Sequence, residues 1–132
     1  MIQVLFDHNM PPMMARCLHE AIKPDGHTAL ALRDKFDKRI DDIDFYTALG
    51  QEPNWITISK DTHNAKRKPE KAAILRSGVL AFYLAPAIQR KPAIQQIALI
   101  LWHWEKIVQQ RNNNRSGLFL LPENKGSKFT PL

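Results

Sequence analysis

Short apolar segments that suit β-strands alternate with amphipathic segments that suit α-helices along most of the chain, and few folds accommodate such an order. The predicted strands are residues 2–6, 27–33, 55–59, 79–84 and 117–121. Strands separated by helices pair mainly in parallel, and the helices then cover both faces of the sheet. The sequence therefore predicts an α/β fold with a mostly parallel central sheet.

Prolines and glycines mark the predicted helix ends. The predicted helices cover residues 11–22, the segment D-D-I-D-F-Y-T-A-L up to Gly50, residues 69–77 up to Gly78, and a long helix that starts at Pro92. On the long helix, the apolar stripe predicted to face the core is Ile94, Ile97, Ala98, Leu101, Trp104 and Val108. The following R-N-N-N-R, residues 111–115, is predicted to be a loop.

A chain of 132 residues fits one domain, residues 1–132, with a core large enough to need no disulfide. The single cysteine, Cys17, is interpreted as a buried apolar residue and indicates a reducing compartment. Residues 1–20 lack the pattern of a secretory signal, and residues 94–108 are too polar to span a bilayer. We expect a cytoplasmic protein with no membrane partner.

Acidic side chains follow the predicted strands. Asp7 and Asn9 come directly after the first strand, and Asp61 follows the third strand in S-K-D-T-H. Asp42 and Asp44 open the helix after the second strand. The carboxyl ends of parallel strands share one edge of a sheet, which is where open α/β sheets bind ligands. We therefore expect these acids to converge on one small patch.

Carboxylates that converge repel one another unless a proton or a cation compensates. Oxygen ligands favour Mg²⁺ or Mn²⁺, and such an ion suits hydrolysis of a phosphate ester. Each residue also has a simpler explanation. Asn9 and Asp61 are typical caps of a helix and a turn, and Asp42 and Asp44 complement a helix dipole. Their coincidence at one edge favours the metal site.

Charge is distributed unevenly in a chain whose net charge is +6. Residues 1–61 hold 10 acids and 7 bases, net −3, whereas residues 62–132 hold 3 acids and 12 bases, net +9. After Asp61 come His63 and the cluster K-R-K, and the nearby cations are Lys60, Lys66, Arg67, Lys68, Lys71 and Arg76. Such a cluster beside a metal site would hold a polyanionic backbone, although it is also typical of an ordinary solvated helix face.

Four stretches in order carry a resemblance to a known family: F-D-H-N-M-P-P, then R-D-K-F with D-D-I-D-F-Y-T-A-L-G, then W-I-T-I-S-K-D-T-H, then K-P-E-K-A-A-I-L-R-S-G-V-L-A-F-Y-L-A-P. Over residues 2–86 the chain resembles the PIN-like nuclease superfamily. More narrowly, it resembles the compact toxin-type PIN-like proteins of toxin–antitoxin modules. The haloacid-dehalogenase phosphatases and the receiver domains, which also have an acid after strand one, fit less of the chain.

The resemblance implies a three-layer α/β/α sandwich and Mg²⁺- or Mn²⁺-dependent hydrolysis of RNA. Position by position, it assigns Asp7, Asp42 and Asp61 as catalytic metal ligands, with Asn9 and Ser59 in support. For the fourth acid of larger relatives, the candidates are Asp41, Asp44 and Glu70. Lys60, His63, Lys66, Arg67 and Lys68 are the expected RNA contacts.

Two functions stay open on the sequence. The first is an endoribonuclease acting as a toxin, whose partners would be RNA, an antitoxin protein and a second copy of the chain. The second is a catalytically inactive PIN-like module that binds RNA or protein.

Overall fold

The computed structural model describes residues 1–132, except for the side chain of Asn64. Its centre is a six-stranded sheet in the order β2-β1-β3-β4-β5-β6. The strands are β1 Gln3–Phe6, β2 Thr28–Ala31, β3 Trp55–Ser59, β4 Leu80–Leu84, β5 Gly117–Leu121 and β6 Thr130–Pro131. Strands β1 to β5 are parallel and β6 is antiparallel to β5. The prediction of a mostly parallel sheet is confirmed.

Helices cover both faces of the sheet. They are α1 Pro12–Ile22, α2 Asp42–Leu49, α3 His63–Lys66, α4 Lys68–Ser77, α5 Pro86–Gln89 and α6 Ala93–Asn113, with 3-10 turns at Lys23–Asp25 and Leu32–Asp34. One core contains buried side chains of α1, α5 and α6, and the other contains those of α2, α3 and α4. The fold is therefore the expected three-layer α/β/α sandwich.

Strand residues supply the two cores in alternation, because successive side chains of a strand point to opposite faces. Val4 and Phe6 belong to the core under α1 and α6, whereas Leu5 belongs to the core under α2 and α4. All five residues of β3 and of β4 are buried. This two-sided burial explains why β4 is apolar throughout, while β3 also buries the polar residues Thr57 and Ser59.

The predicted helix stops are in place, but the two glycines act differently. Gly78 ends α4 with φ 79°, a left-handed conformation that glycine adopts at little cost. Gly50 ends α2 with φ −64°, which any residue adopts. A Cβ at Gly50 would lie 2.5 Å from the carbonyl oxygen of Ser77. Glycine is needed there because the ends of α2 and α4 approach closely.

The prediction of which face of α6 packs against the core is wrong. The observed buried face is rotated about the helix axis relative to the predicted one. Ile94 and Leu101 are 75% and 39% exposed, and Ala98 is exposed. The buried residues are Gln96, Ile97, Ile100, His103 and Ile107. Two polar side chains are buried because each has a carbonyl partner: Gln96 Nε2 donates to Lys91 O at 2.9 Å, and His103 Nε2 lies 2.8 Å from Pro122 O.

Two other expectations fail. Helix α6 continues to Asn113, through the predicted loop, and the Arg111 guanidinium donates to the carbonyls of Trp55 and Gly78 at 3.1 and 3.0 Å. Cys17 is exposed, since it lies on the outer side of α1. Trp102 is 61% exposed. Among the described helices, none combines the length and apolarity needed to cross a membrane.

Candidate metal and nucleic-acid site

The carboxyl edge of the sheet brings the first and third predicted segments together. Phe6 pairs with Ile58, and Ser59 pairs with Tyr83, so Asp7, Ser59 and Tyr83 form one row across β1, β3 and β4. Asp7 directly follows Phe6, and Ser59 directly follows Ile58. The parallel register that pairs Phe6 with Ile58 therefore also places Asp7 beside Ser59. Asp7 thereby lies beside the end of the strand that leads to Asp61.

Asp7 is buried, with 5% of the residue exposed. Both oxygens of its carboxylate have hydrogen-bond partners. Its Oδ1 accepts the His8 backbone N–H at 2.7 Å and lies 2.7 Å from His8 Nδ1. Its Oδ2 accepts the Ser59 hydroxyl at 3.2 Å. The main chain is fixed as well, because the Asp7 N–H donates to Ile58 O at 3.0 Å. This carboxylate therefore has a defined orientation.

The Ser59 hydroxyl links the two strands chemically. It donates to Asp7 Oδ2, and its oxygen accepts Asn9 Nδ2 at 3.2 Å and the Asp61 backbone N–H at 3.1 Å. Asn9 Oδ1 also accepts the Lys60 N–H at 3.5 Å. Ser59 therefore contacts Asp7 through its hydroxyl proton and Asp61 through that residue's main-chain N–H, not through the Asp61 carboxylate.

Asp61 is the exposed member of the group, with 53% of its side chain accessible. Its Oδ1 accepts the His63 backbone N–H at 3.0 Å, and the His63 ring lies 3.6 Å away. Gln89, in α5, fixes the base of this loop by donating to Lys60 O and Leu84 O, both at 2.8 Å. Gln89 lies 29 residues after Lys60 in the sequence, so no local pattern could have indicated this contact.

Asp42 is the first residue of α2 and is half-buried. Partial burial raises the pKa of its carboxyl, and the carboxylates of Asp7, Asp41 and Asp61 raise it further, while His8 lowers it. In this structure the carboxylates of Asp7 and Asp61 therefore lie near enough to Asp42 to disfavour its charged form. Asp41, one of the candidates for the fourth acidic position, also raises the pKa of Asp42.

The other candidates for that position are placed less favourably. Asp44 is exposed in the first turn of α2, and Glu70 is half-buried in the first turn of α4. Among the described residues, Glu70 Oε2 is buried and has no hydrogen-bond partner. Neither residue is among the charges that raise the pKa of Asp42.

Two tyrosines lie beneath the acidic edge on the same face of the sheet. Tyr46 OH is 3.0 Å from Thr57 Oγ1 in a fully buried contact. Burial raises the pKa of Tyr46 and of Tyr83 well above the ordinary value, and the two phenols further influence each other. Both tyrosines therefore stay protonated, and their hydroxyl groups beneath the acidic edge are neutral.

Lys66, Arg67 and Lys68, here called the basic cluster, lie at the junction of α3 and α4 and are all exposed. The described ion pairs include none of them. Helix α4 then runs away from the acidic edge, and Arg76 lies in its last turn. Arg76 therefore does not flank the site, contrary to the expectation from its proximity in sequence.

The donor set suits a hard divalent ion, since it consists of carboxylate and amide oxygens in excess negative charge. Burial first, and then the neighbouring carboxylates, raise the pKa of Asp42, and a cation bound among these acids would oppose that rise. Among the side chains that the structure describes, however, no three acids, imidazoles or thiols lie close enough together to hold an ion as they stand. Ligation would require side-chain rotation, which the exposed Asp61 permits.

His8 is the site residue that the sequence interpretation missed. Its side chain is 60% exposed, with Nδ1 against the Asp7 carboxylate. The pattern F-D-H-N contains the signal, because a histidine directly after an acid at a strand end reaches it through a short local turn. Among the histidines, only His63 was a predicted contact.

No curated protein and no solved structure matches the chain. The sequence profile of the family described as "PIN like domain" matches residues 2–86, which contain β1 to β4 and every acid of the candidate site. Domains of this family are commonly nucleases, and PIN-like nucleases generally use divalent metal ions. Because that match covers more than half of the chain, the chain belongs to the PIN-like domain family.

Proposed function

We propose that the chain is a metal-dependent ribonuclease in which Asp7, Asp42 and Asp61 hold Mg²⁺ or Mn²⁺. The observation that carries this proposal is the Ser59 hydroxyl, which joins Asp7 and the Asp61 main chain across adjacent strands. The overlapping fields of the three carboxylates support it. A bound ion supplies Lewis-acid chemistry, which favours deprotonation of water and neutralises charge on a phosphodiester.

The remaining residues have positioning and binding roles. His8 and Ser59 hold Asp7 in one orientation, and Asn9 anchors the turn at Lys60. Lys60, His63 and the basic cluster hold the phosphates of RNA. His63 and the basic cluster are exposed, Lys60 is half-buried, and all of them adjoin Asp61 in the chain, so a polyanion can reach them without opening the fold.

The proposal extends to the biological setting. We treat residues 1–132 as a single domain, a proposal that the continuous sheet from β2 to β6 supports. A compact cytoplasmic ribonuclease of this kind would act as the toxin of a type II toxin–antitoxin pair, restrained by an antitoxin protein. The resemblance to toxin-type relatives is what supports this role.

A second candidate function is a catalytically inactive module that binds RNA or protein. It is favoured by the engagement of both Asp7 oxygens with His8 and Ser59, and by the distance between donors in the described structure. Under this proposal the acidic edge would be a hydrogen-bonded structural feature, and the basic cluster alone would carry function.

Cleavage of structured RNAs in Mg²⁺, in Mn²⁺ and in EDTA separates the two functions. The variant Asp61→Asn keeps the shape of the side chain and removes its charge. We expect it to bind RNA nearly as the wild type does and to lose most cleavage, because a ligand that acts in the transition state affects rate more than affinity.

The matched control is Asp25→Asn. Asp25 is an exposed acid between α1 and β2, at the opposite edge of the sheet, so its removal changes the net charge equally. Full activity of Asp61→Asn, or cleavage that persists in EDTA, would contradict the ribonuclease proposal and favour the inactive module.

A further inference from the structure

The peptide group between Lys60 and Asp61 has hydrogen-bond partners at both of its polar ends. Its carbonyl oxygen, on Lys60, accepts Gln89 Nε2 at 2.8 Å. Its N–H, on Asp61, donates to the Ser59 hydroxyl oxygen at 3.1 Å. A peptide group is planar, so bonds at its two opposite ends fix the orientation of the whole plane. The Cα atom of Asp61 lies in that plane, and its position is therefore determined by Ser59 and Gln89 together.

The side-chain amide of Gln89 joins the ends of two adjacent strands. Its second bond, also 2.8 Å long, goes to the carbonyl oxygen of Leu84, the last residue of β4. Lys60 directly follows β3, which pairs with β4 in parallel. The NH₂ group of a glutamine has two hydrogens, one for each of these carbonyls. The loop that carries Asp61 is therefore attached to the end of β4 through Gln89.

The main chain of Gln89 is itself held from two sides. Gln89 ends the short helix α5, where its N–H donates to Ala85 O at 3.1 Å. Its carbonyl oxygen accepts Nε2 of Gln96, a buried residue of α6, at 3.3 Å. The same nitrogen of Gln96 donates to Lys91 O at 2.9 Å. Two glutamine side chains in series therefore connect α6 to the loop of Asp61.

Among the three proposed metal ligands, Asp61 depends most on the position of its main chain. Asp7 has partners at both carboxylate oxygens, whereas 53% of the Asp61 side chain is exposed. The Asp61 carboxylate accepts the His63 N–H, which belongs to the same loop and moves with it. An exposed side chain can take several staggered rotamers. The position of its Cα atom then decides whether any of these rotamers brings the Asp61 carboxylate to an ion beside Asp7.

We propose that Gln89 is a positioning residue of the metal site. It acts by holding the Lys60–Asp61 peptide plane, so that the Asp61 carboxylate can reach an ion shared with Asp7. This inference rests on the proposed function, since it concerns one of the proposed ligands. Gln89 and Gln96 both lie beyond residues 2–86, so the segment that follows the family match contributes to the site.

The first test replaces the amide with a side chain of similar length that cannot donate. Gln89→Met should raise the dissociation constant for Mn²⁺ about tenfold or more, the usual effect of losing a residue that orients a metal ligand. Electron paramagnetic resonance of unbound Mn²⁺ measures this constant on the protein without RNA. In RNA cleavage, the Mn²⁺ concentration at half-maximal rate should rise, while the rate at saturating Mn²⁺ largely recovers. RNA affinity should be unchanged, because the basic cluster is intact.

Arg111→Met is the matched control. Arg111 donates to Trp55 O and Gly78 O at the opposite end of β3, so its replacement also removes bonds from a side chain to main-chain carbonyls. We expect a lower melting temperature and an unchanged Mn²⁺ affinity. Equal Mn²⁺ affinity in the wild type and Gln89→Met overturns this inference alone. A wild type that binds no Mn²⁺ overturns the proposed function, and this inference with it.

Hydrogen exchange at the Asp61 amide gives a second readout, which needs neither metal nor RNA. In the wild type this amide should exchange slowly although Asp61 is exposed, because its peptide group is held at both ends. Exchange should be roughly tenfold faster in Gln89→Met, through local opening of the loop, and unchanged in Arg111→Met. An Asp61 amide that exchanges in the wild type as fast as in an unstructured peptide overturns the inference, whether or not the Gln89 variant folds.

Discussion

Asp42 carries the electrostatic cost of the acidic edge. It is the half-buried member of the group, and its charged form is opposed first by burial and then by Asp7, Asp41 and Asp61. The exposed Asp61 and the hydrogen-bonded Asp7 have water or donors that stabilise their charge. A bound cation would therefore stabilise the ionised form of Asp42 the most.

We expect Asp42→Asn to raise the free energy of unfolding at neutral pH in the absence of divalent ions. A raised pKa means that the native state binds the Asp42 proton more tightly than the unfolded state. The gain should shrink as the pH falls through the raised pKa of Asp42 and vanish below its ordinary value of 3.8. Urea denaturation across this pH range measures it.

The same substitution should reverse its effect when Mn²⁺ is added. An ion that binds only the native state raises the melting temperature of the wild type, and loss of a ligand removes that increase. Asp44→Asn is the control, since Asp44 is exposed in the same first turn and is absent from the charges that act on Asp42. An equal Mn²⁺ response in wild type and Asp42→Asn would remove Asp42 from the proposed ligands.

His103 predicts a separate pH dependence in the opposite core. Burial lowers the pKa of its imidazole, and Lys106 lowers it further against the bond to Pro122 O. The unfolded state then binds the proton more tightly, so stability should fall as the pH falls below the ordinary value of 6.5. His103→Gln keeps a donor for Pro122 and does not titrate, so we expect a flatter dependence below that pH. The same slope in both proteins would contradict this account.

Among the secondary-structure elements, two arrangements depend on close backbone geometry. At the free edge of the sheet, the outward N–H groups of Ala29 and Ala31 donate to His19 Nδ1 at 3.1 Å and Asp34 Oδ2 at 3.3 Å. These side chains occupy donors that would otherwise pair with a foreign strand. In the helical layer formed by α2, α3 and α4, the C-terminal ends of α2 and α4 meet at Gly50 and Ser77.

Gly50→Ala should destabilise the fold by about 1–3 kcal/mol, the usual effect of overpacking a close contact. The added Cβ would lie 2.5 Å from the Ser77 carbonyl oxygen, so α2 and α4 must separate. Gly126→Ala is the control, because its Cβ would meet Asn124 Oδ1 at an ordinary 3.6 Å. Equal midpoints of urea unfolding for the two variants would mean that the helix ends adjust without strain.

For the molecule as a whole, the separation of charge along the chain becomes a separation in space at one edge. Asp7, Asp42 and Asp61, three of the acids of residues 1–61, lie near the carboxyl ends of β1 and β3, and the basic cluster follows Asp61 directly along the chain. A polyanion that reaches the cluster is thereby brought beside the acids. This juxtaposition is what a phosphodiesterase requires, because substrate attraction and metal binding need opposite charges close together.

Replacing Lys66, Arg67 and Lys68 together with Ala should weaken RNA binding and flatten the dependence of log affinity on log salt by about 2, at about 0.7 per lost phosphate contact. The melting temperature should change little, because exposed charges contribute little to folding. Arg16, Lys23 and Arg76 replaced together remove the same charge from exposed positions elsewhere. An equal loss of salt dependence in both triple variants would attribute binding to net charge rather than to the cluster.

Much of this architecture follows from local patterns. Alternation of apolar strands and helices predicts the layers, and the position of Asp7 and Asp61 directly after strands predicts their shared edge, because parallel strands end together. The identity of the acid beside Asp42 was not predictable, since Asp41 and Asp44 are equally suited to a helix start. Their difference lies in which side of α2 faces Asp7.

The periodicity of apolar residues is a property of neighbouring positions, and it was enough to define the strands, most helix ends and the edge at which the acids lie. Side-chain partners distant in sequence are different, because their energies exist only once the layers have packed. The rotation of α6 depends on carbonyls of Lys91 and Pro122 that accept Gln96 and His103. The Ser59 link to Asp7 spans 52 residues. Buried polar groups select among packings that hydrophobic pattern alone leaves equivalent, since an unpaired one is costly.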